Sequence, residues 1–270
     1  VKQLSSLSVV MPVYNEAATV GEVIEAVLGC ETGLPLQLVI VESNSSDGSK
    51  QIVQRYASDP RVTLVLQDAP RGKGAAVREG LRHVRGDIVL IQDGDLEYRV
   101  DDYPALLQPI RSGEATFVLG SRHVKGRPMR AFDNKRHWAW LMNVAHWLFT
   151  WMFNIVYGVR LRDPFTMYKV MTADAVRDLE FTANRFDFDW ELVAKLIRTG
   201  HRPIEVPVWY QSRDYDQGKK VRLFRDPMTW IVALVRYRVA PIRRLSASAP
   251  SESTLQPAAS QATPSTSQVQ

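Results

Sequence analysis

Cysteine is almost missing from this chain: Cys30 stands alone among 270 residues. That excludes a disulfide framework and a Cys-rich zinc site. The five histidines form no cluster with metal-ligand spacing, so zinc is disfavoured and any cation would have to be held by oxygen. Two phosphate-binding signatures are also missing. There is no G-x-x-x-x-G-K spacing, and no G-x-G-x-x-G follows the first strand-like run, which excludes a Walker loop and a dinucleotide fingerprint. No basic segment and small-residue cleavage site flank the apolar residues 7–13, so no signal peptide is expected. What remains is a chain long enough to bury roughly three quarters of its unfolded surface, as one domain with at most a small annex.

Charge of one sign is also lacking through most of the chain. Residues 1–200 hold 24 basic and 24 acidic side chains. Residues 201–244 hold ten basic against four acidic, and these include Arg213, Lys219 and Lys220. The net charge of +5 therefore comes from one late segment. Such a patch suits a phosphorylated ligand, an anionic membrane or a polyanion. From Ser246 to Gln270 the composition is Ser, Ala, Pro, Gln and Thr with almost no bulk, and a disordered tail is expected there.

The first 120 residues alternate apolar runs with helical patterns. Strands are expected at Leu7 to Val13, Leu38 to Val41, Val62 to Leu66, Ile88 to Ile91 and Thr116 to Leu119. Helices are expected at Ala18 to Leu28, Gly48 to Ala57, Ala75 to Val84 and Asp101 to Ile110. Strands that are apolar throughout, joined by crossover helices, imply an α/β domain with a mostly parallel sheet covered on both faces. Ligands of such sheets lie beyond the carboxyl ends of the strands.

Each strand end delivers polar or glycine-rich material: Pro12-Val13-Tyr14-Asn15-Glu16, Glu42-Ser43-Asn44-Ser45-Ser46-Asp47-Gly48, Arg71-Gly72-Lys73-Gly74, Asp93-Gly94-Asp95-Leu96-Glu97 and Gly120-Ser121-Arg122. Any one of these could be an ordinary cap or turn. Five at successive strand ends point to a shared site. Asp93 and Asp95, one residue apart, repel each other unless a cation or hydrogen-bond donors intervene. Hard divalent cations take oxygen ligands and bridge carboxylates to substrate phosphates, so Mg²⁺ or Mn²⁺ is expected, with Glu97 as a third donor. Lys73 could meet a phosphate as a point charge.

These ordered motifs resemble the inverting family-2 glycosyltransferases of the GT-A fold. With Asp163-Pro164-Phe165 and Glu205-Val206-Pro207-Val208 they are most similar to the polyprenyl-phosphate branch, the dolichyl-phosphate mannose or glucose synthase-like enzymes. The resemblance covers about residues 7–225 and implies a GT-A domain over residues 1–225. It implies that Pro12, Tyr14, Asn15, Glu16, Glu42, Lys73 and Asp93 bind a UDP- or GDP-hexose. Asp93, Asp95 and Glu97 would hold the metal. Arg122 and Arg213, with Lys219, would meet the acceptor phosphate. Ser43 stands where the family usually has a second acid.

An acceptor phosphate is already anionic and needs little help from a base, whereas a hydroxyl acceptor needs a carboxylate. Asp187, Asp189 and Glu191 are the available bases, although the same three residues would also suit the acidic first turn of a helix running to Arg198. Asp189 is placed with Asp95, Arg122 and Arg213 among the catalytic residues. The reaction expected is hexose transfer from a nucleotide sugar to a polyprenyl phosphate. The rival readings are transfer to a glycan or small-molecule hydroxyl, and a catalytically idle nucleotide-sugar or membrane-binding module. Nucleic acid is not expected as a partner: the basic segment shows no aromatic-basic interleaving typical of a stacking platform, and the acidic edge repels phosphates that bring no cation.

Residues Trp138 to Val159 carry four of the seven tryptophans, with Asn143, His146, Thr150 and Asn154 on one narrow stripe. A spanning helix would part the acidic motif from the Arg213 loop, so this helix is expected to lie in a membrane interface, the alternative being a buried helix against the sheet or a homodimer contact. His146 is expected to be a packing residue. Residues 226–245 form a basic amphipathic segment too short and too charged to span. The protein is therefore expected in the cytoplasm, peripheral at the inner face of the cell membrane.

Overall fold

The computed structural model describes residues 4–123, 136–212 and 225–245. The expected tail and the positions of Arg213, Lys219 and Lys220 lie outside the described residues.

The expected alternation is present. Strands β1 (Leu7–Val13), β2 (Leu36–Glu42), β3 (Val62–Leu66), β4 (Ile88–Ile91) and β5 (Phe117–Ser121) are separated by α1 (Val20–Gly29), α2 (Ser49–Gln54), α3 (Lys73–Arg82) and α4 (Tyr103–Arg111). Then follow α5 (Arg136–Tyr157), β6 (Lys169–Thr172), α6 (Ala173–Val176), α7 (Asp187–Arg198), β7 (Ile204–Pro207) and α8 (Arg225–Val239). Strands β6 and β7 are additions to the expected set. They complete a seven-stranded sheet of order β3-β2-β1-β4-β6-β5-β7. All pairings are parallel except those of β6, which runs antiparallel to both β4 and β5. The reversal brings the segment entering β6 to the edge where β1, β2, β4 and β5 end.

The period-two alternation of strand side chains divides the core in two. Val9, Met11, Leu38, Ile40, Ile88, Leu90 and Val118 pack against Val23, Ile24 and Val27 of α1 and Leu106 and Ile110 of α4. On the other face Val10, Val89, Ile91, Phe117, Leu119 and Met171 meet Val77 of α3, Phe149 and Phe153 of α5, Phe188 and Leu192 of α7, and Leu234 and Tyr237 of α8. Every side chain of β1 and β4 is buried, as a sheet covered on both faces requires.

Helix α5 is amphipathic. Its polar members turn toward the protein: His146 and Thr150 are buried, and Asn154 exchanges two hydrogen bonds with the backbone of Leu161. Three of its tryptophans turn outward, Trp140 67%, Trp147 55% and Trp151 61% exposed. Val144, Leu148 and Ile155 extend the same outer face at helical spacing. Helix α8 lies alongside, joined to α5 where the Tyr157 hydroxyl donates to the Leu234 carbonyl at 3.1 Å and Arg238 Nε to the Val156 carbonyl at 3.0 Å. It leaves Ile231, Val232, Val235 and Val239 exposed. Among the described residues, no helix is long and apolar enough to cross a membrane.

Candidate active site

The loops after β1 and β2 are tied into one unit. Asn15 takes a left-handed backbone (φ 52°), which its short polar side chain tolerates. Its Oδ1 accepts from the Ser46 amide, and its own amide donates to Ser45 Oγ. The amides of Glu16 and Ala17 donate to Ser49 Oγ and Asp47 Oδ2. Glu42 is fully buried and accepts from the amides of Asn44 at 3.1 Å and Ser45 at 2.6 Å. Its carboxylate thus shapes the β2 loop. Pro12 is buried in β1, and Tyr14 is exposed at the rim.

The loop after β4 brings the acidic residues to the same edge. Asp93 Oδ2 lies 2.7 Å from Lys73 Nζ, at the first residue of α3. Asp95 is buried, and its Oδ1 accepts from the Glu97 amide at 3.1 Å. Glu97 Oε2 accepts from the Tyr210 hydroxyl at 3.2 Å. The Thr19 hydroxyl donates to the Gly94 carbonyl at 2.8 Å, joining this loop to the start of α1. Among the described residues, no group of three or more His, Cys, Asp or Glu side chains could hold a metal ion. The acids here are all oxygen donors. Their chemistry fits a hard cation that takes one or two carboxylates from protein and its other ligands from diphosphate and water.

The glycines around Lys73 have a packing role. Gly72 has φ 100°, and a Cβ there would sit 2.4 Å from the Asn184 carbonyl oxygen. A Cβ on Gly74 would come within 2.6 Å of Phe188 Cβ. These close approaches seat the first turn of α3 against the loop leading into α7, and the Ala75 amide donates to the Asn184 carbonyl.

Lysines and acids alternate through this region. Lys169, fully buried in β6, lies 2.8 Å from Asp189 of α7 and donates to the Thr166 carbonyl. Burial pulls the Lys169 ammonium below its ordinary pKa, and Asp189 only partly opposes that. Burial acts the same way on Lys73, but there Asp93, Asp189 and Asp95 together prevail and raise its pKa. Lys73 therefore stays cationic at neutral pH.

The acids of α7 are all engaged. Asp187 accepts from the Arg185 amide and the Tyr237 hydroxyl, and Asp189 is paired with Lys169. Glu191 is fully buried, 2.6 Å from Lys195 Nζ, and accepts from the amides of Thr182 and Ala183.

Arg122, after β5, is buried against Asp163. Its Nε and Nη2 each approach a carboxylate oxygen at 2.7 Å, and its amide donates to the same group at 3.0 Å. Two of its guanidinium nitrogens are thereby held by the protein itself. His146 stands 3.8 Å from Asp163 and 3.1 Å from His123, as part of this buried cluster.

Pro12, Tyr14, Asn15, Glu16, Glu42, Lys73, Asp93, Asp95, Glu97, Arg122 and Asp189 thus share one edge of the fold. Sequence reasoning did not single out Lys169, Gln92 or Tyr210. A lysine inside an apolar strand such as Lys169-Val170-Met171 was the available signal, because a buried cation requires a carboxylate opposite it.

A mostly parallel sheet ending in joined polar loops, with an Asp-Gly-Asp turn and a paired lysine at the same edge, places a polar site beyond the carboxyl ends of the strands. The Glycosyl transferase family 2 profile matches residues 8–176, and the chain belongs to that family. It is 29% identical over 235 residues to a dolichyl-phosphate beta-glucosyltransferase of Trichomonas vaginalis, covering 80% of this chain and 68% of that one. It is 26% identical over 254 residues to an undecaprenyl-phosphate 4-deoxy-4-formamido-L-arabinose transferase of Edwardsiella ictaluri, covering 91% and 72%. The fold matches that of glucosyl-3-phosphoglycerate synthase from Mycobacterium tuberculosis, solved with Mn²⁺, UDP and phosphoglyceric acid. The TM-score is 0.65 at 20% identity, over 88% of this chain and 80% of that one.

Proposed function

We propose that this protein transfers a hexose from UDP- or GDP-hexose to a polyprenyl phosphate, with inversion, at the inner face of the cell membrane. The observation that carries this reading is the engagement of Asp187, Asp189 and Glu191 with other groups. With its acids so placed, the site suits an acceptor that arrives already ionised better than a hydroxyl needing a base. The names of the relatives, which are transferases acting on dolichyl and undecaprenyl phosphate, support the same acceptor class.

In this reading the joined loops carrying Tyr14, Asn15, Glu16 and Glu42 cradle the nucleoside. Asp93 and Asp95, with Glu97, would hold Mg²⁺ or Mn²⁺ on the diphosphate; a bound cation supplies electrostatic stabilisation of the leaving group. Lys73, kept protonated by its carboxylate neighbours, adds positive charge where the departing nucleoside diphosphate gains negative charge. Arg122, oriented by Asp163, and Arg213 and Lys219 would position the acceptor phosphate. The test is transfer of radiolabelled UDP- or GDP-hexose to a short polyprenyl phosphate with Mn²⁺. Label appearing only on a hydroxyl acceptor, and abolished by Asp189→Asn, would overturn the phosphate reading.

The outer face of α5 and α8 would rest on the bilayer. Tryptophans favour the interfacial depth, and Arg236 and Arg238 near the end of α8 add attraction to anionic headgroups. Trp151→Glu combined with Val235→Glu is expected to weaken sedimentation with phosphatidylglycerol vesicles by about tenfold or more, with transfer to a water-soluble short-chain acceptor retained. A stable dimer in the absence of lipid, dissociated by the same pair of substitutions, would assign the face to a second copy instead.

A further inference from the structure

Gln92 lies between the end of β4 and the Asp93-Gly94-Asp95 turn, and it is completely buried. A buried primary amide has to be hydrogen-bonded, and here its partners are Tyr103, Tyr168 and the Asp93 carbonyl. The Tyr103 hydroxyl, at the start of α4, donates to Gln92 Oε1 at 2.9 Å. The Tyr168 hydroxyl, at the entry to β6, lies 2.8 Å from the same oxygen and 2.8 Å from the Arg99 carbonyl, so its one proton is shared between them. On its other side Gln92 Nε2 donates to the Asp93 carbonyl at 3.0 Å, while the Gln92 amide extends the ladder to Val10. The two phenols fix the amide plane, and the side-chain amide fixes the peptide between Asp93 and Gly94. Tyr98, Tyr103 and Tyr168 pack ring against ring around this point, with centroids 4.6 Å apart for Tyr98 and Tyr168 and 5.9 Å for Tyr103 and Tyr168. The support is therefore stiff as well as hydrogen-bonded.

The other ties on the turn are of different kinds. Lys73 holds the Asp93 side chain, which a bound nucleotide and cation would reorganise, and Thr19 holds the Gly94 carbonyl. Gln92 holds the backbone from the buried side, away from any ligand. We infer that Gln92, clamped by Tyr103 and Tyr168, is a positioning residue that presets the Asp93-Gly94-Asp95 backbone for a cation-bound nucleoside diphosphate. This inference rests on the reading of Asp93 and Asp95 proposed above. A methionine at this position fills a similar volume but can neither donate to the Asp93 carbonyl nor accept from the phenols. The turn would then be left to find its geometry at the moment of binding.

The experiment measures binding, so it does not depend on the identity of the acceptor. Mn²⁺ affinity is followed by electron paramagnetic resonance with UDP, and separately with GDP, alongside thermal melting. Gln92→Met is expected to weaken Mn²⁺–nucleotide binding by about tenfold, the scale of orienting groups behind metal ligands. Tyr103→Phe is expected to show a smaller loss on the same readout. The effect of the double variant should be less than the product of the two, since both act through one amide. Tyr56→Phe, which removes a hydroxyl that donates to Glu25 of α1 and takes no part in the bonds of Gln92, should leave Mn²⁺ affinity unchanged. Gln92→Met or, where that variant does not fold, Tyr103→Phe overturns the inference if it melts lower but binds Mn²⁺–nucleotide as the wild type does. A wild-type protein that binds Mn²⁺ with neither nucleotide overturns the inference together with the metal assignment beneath it.

Discussion

Asp95→Ala is expected to lower the initial rate of sugar transfer by about a thousandfold, with a smaller loss of stability than Asp93→Ala. The magnitude follows from the site's task. A leaving nucleoside diphosphate gathers negative charge as the bond to the sugar breaks, and one preorganised stabilising group is worth roughly a hundred- to a thousandfold in rate. Removing a carboxylate that would help hold a divalent cation removes more than one such interaction. The Asp95 carboxylate accepts from the Glu97 amide two residues on, whereas Asp93 is the direct partner of the Lys73 ammonium. Asp93→Ala should behave differently. It strands the Lys73 ammonium, partly buried and 2.7 Å from the lost oxygen, so activity and melting temperature should fall together. Initial rates at saturating donor and Mn²⁺, beside thermal melts, separate the two variants. Transfer by Asp95→Ala at the wild-type rate would remove Asp95 from the site.

Asp163→Asn is expected to give the largest loss of stability, roughly 3–5 kcal/mol, the range for breaking one side of a buried pair. Asp163 is fully buried, and Arg122 forks onto both of its oxygens. An amide there leaves a buried guanidinium without its counter-charge. Arg122→Lys should not be a mild change, because a point charge cannot reproduce the two-pronged contact.

The pH dependence has a definite sign. Burial alone would raise the Asp163 pKa, but the charge and hydrogen bonds of Arg122 overcome it and hold the carboxyl well below the usual range. A carboxyl whose pKa is depressed by folding contributes stability above its unfolded value, about 3.9, and loses it as the pH falls through the folded value. Denaturant melts should therefore show a constant gap between wild type and Asp163→Asn from neutral pH to about pH 5. The gap should close only in strong acid. A gap that already closes near pH 6 would contradict the pairing.

Strands β1, β3 and β4 were legible residue for residue: β1 and β4 are buried on both faces and so almost wholly apolar, and β3, half-buried at the sheet edge, is a short apolar run bounded by polar residues. The ends of β2 and β5 ran past their apolar runs, to Glu42 and Ser121, since a polar residue at a strand end can still pair. Strands β6 and β7 were not legible. Each has four residues and includes a charge, Lys169 or Glu205, and a short charged segment has no periodicity to read. Their charges are accommodated by partners far away in sequence. Lys169 meets Asp189, and Glu205 accepts from the amides of Arg162 and Asp163. The same limit applied to the site. Strand-end position made Asp93, Asp95 and Lys73 legible one by one. That Arg122 would be held by Asp163, and Glu97 by Tyr210, depends on contacts that only the closed fold creates. In α5 the pattern marked a polar stripe but not its direction, because helical periodicity has no reference to inside and outside.

That direction has a kinetic consequence. On the membrane reading proposed above, a protein resting on a bilayer by the tryptophan face of α5 and the aliphatic face of α8 would meet an acceptor dissolved in the same leaflet by lateral diffusion. Its rate then follows the mole fraction of acceptor among the lipids, and adding inert lipid at a fixed amount of acceptor slows the reaction although the bulk concentration is unchanged.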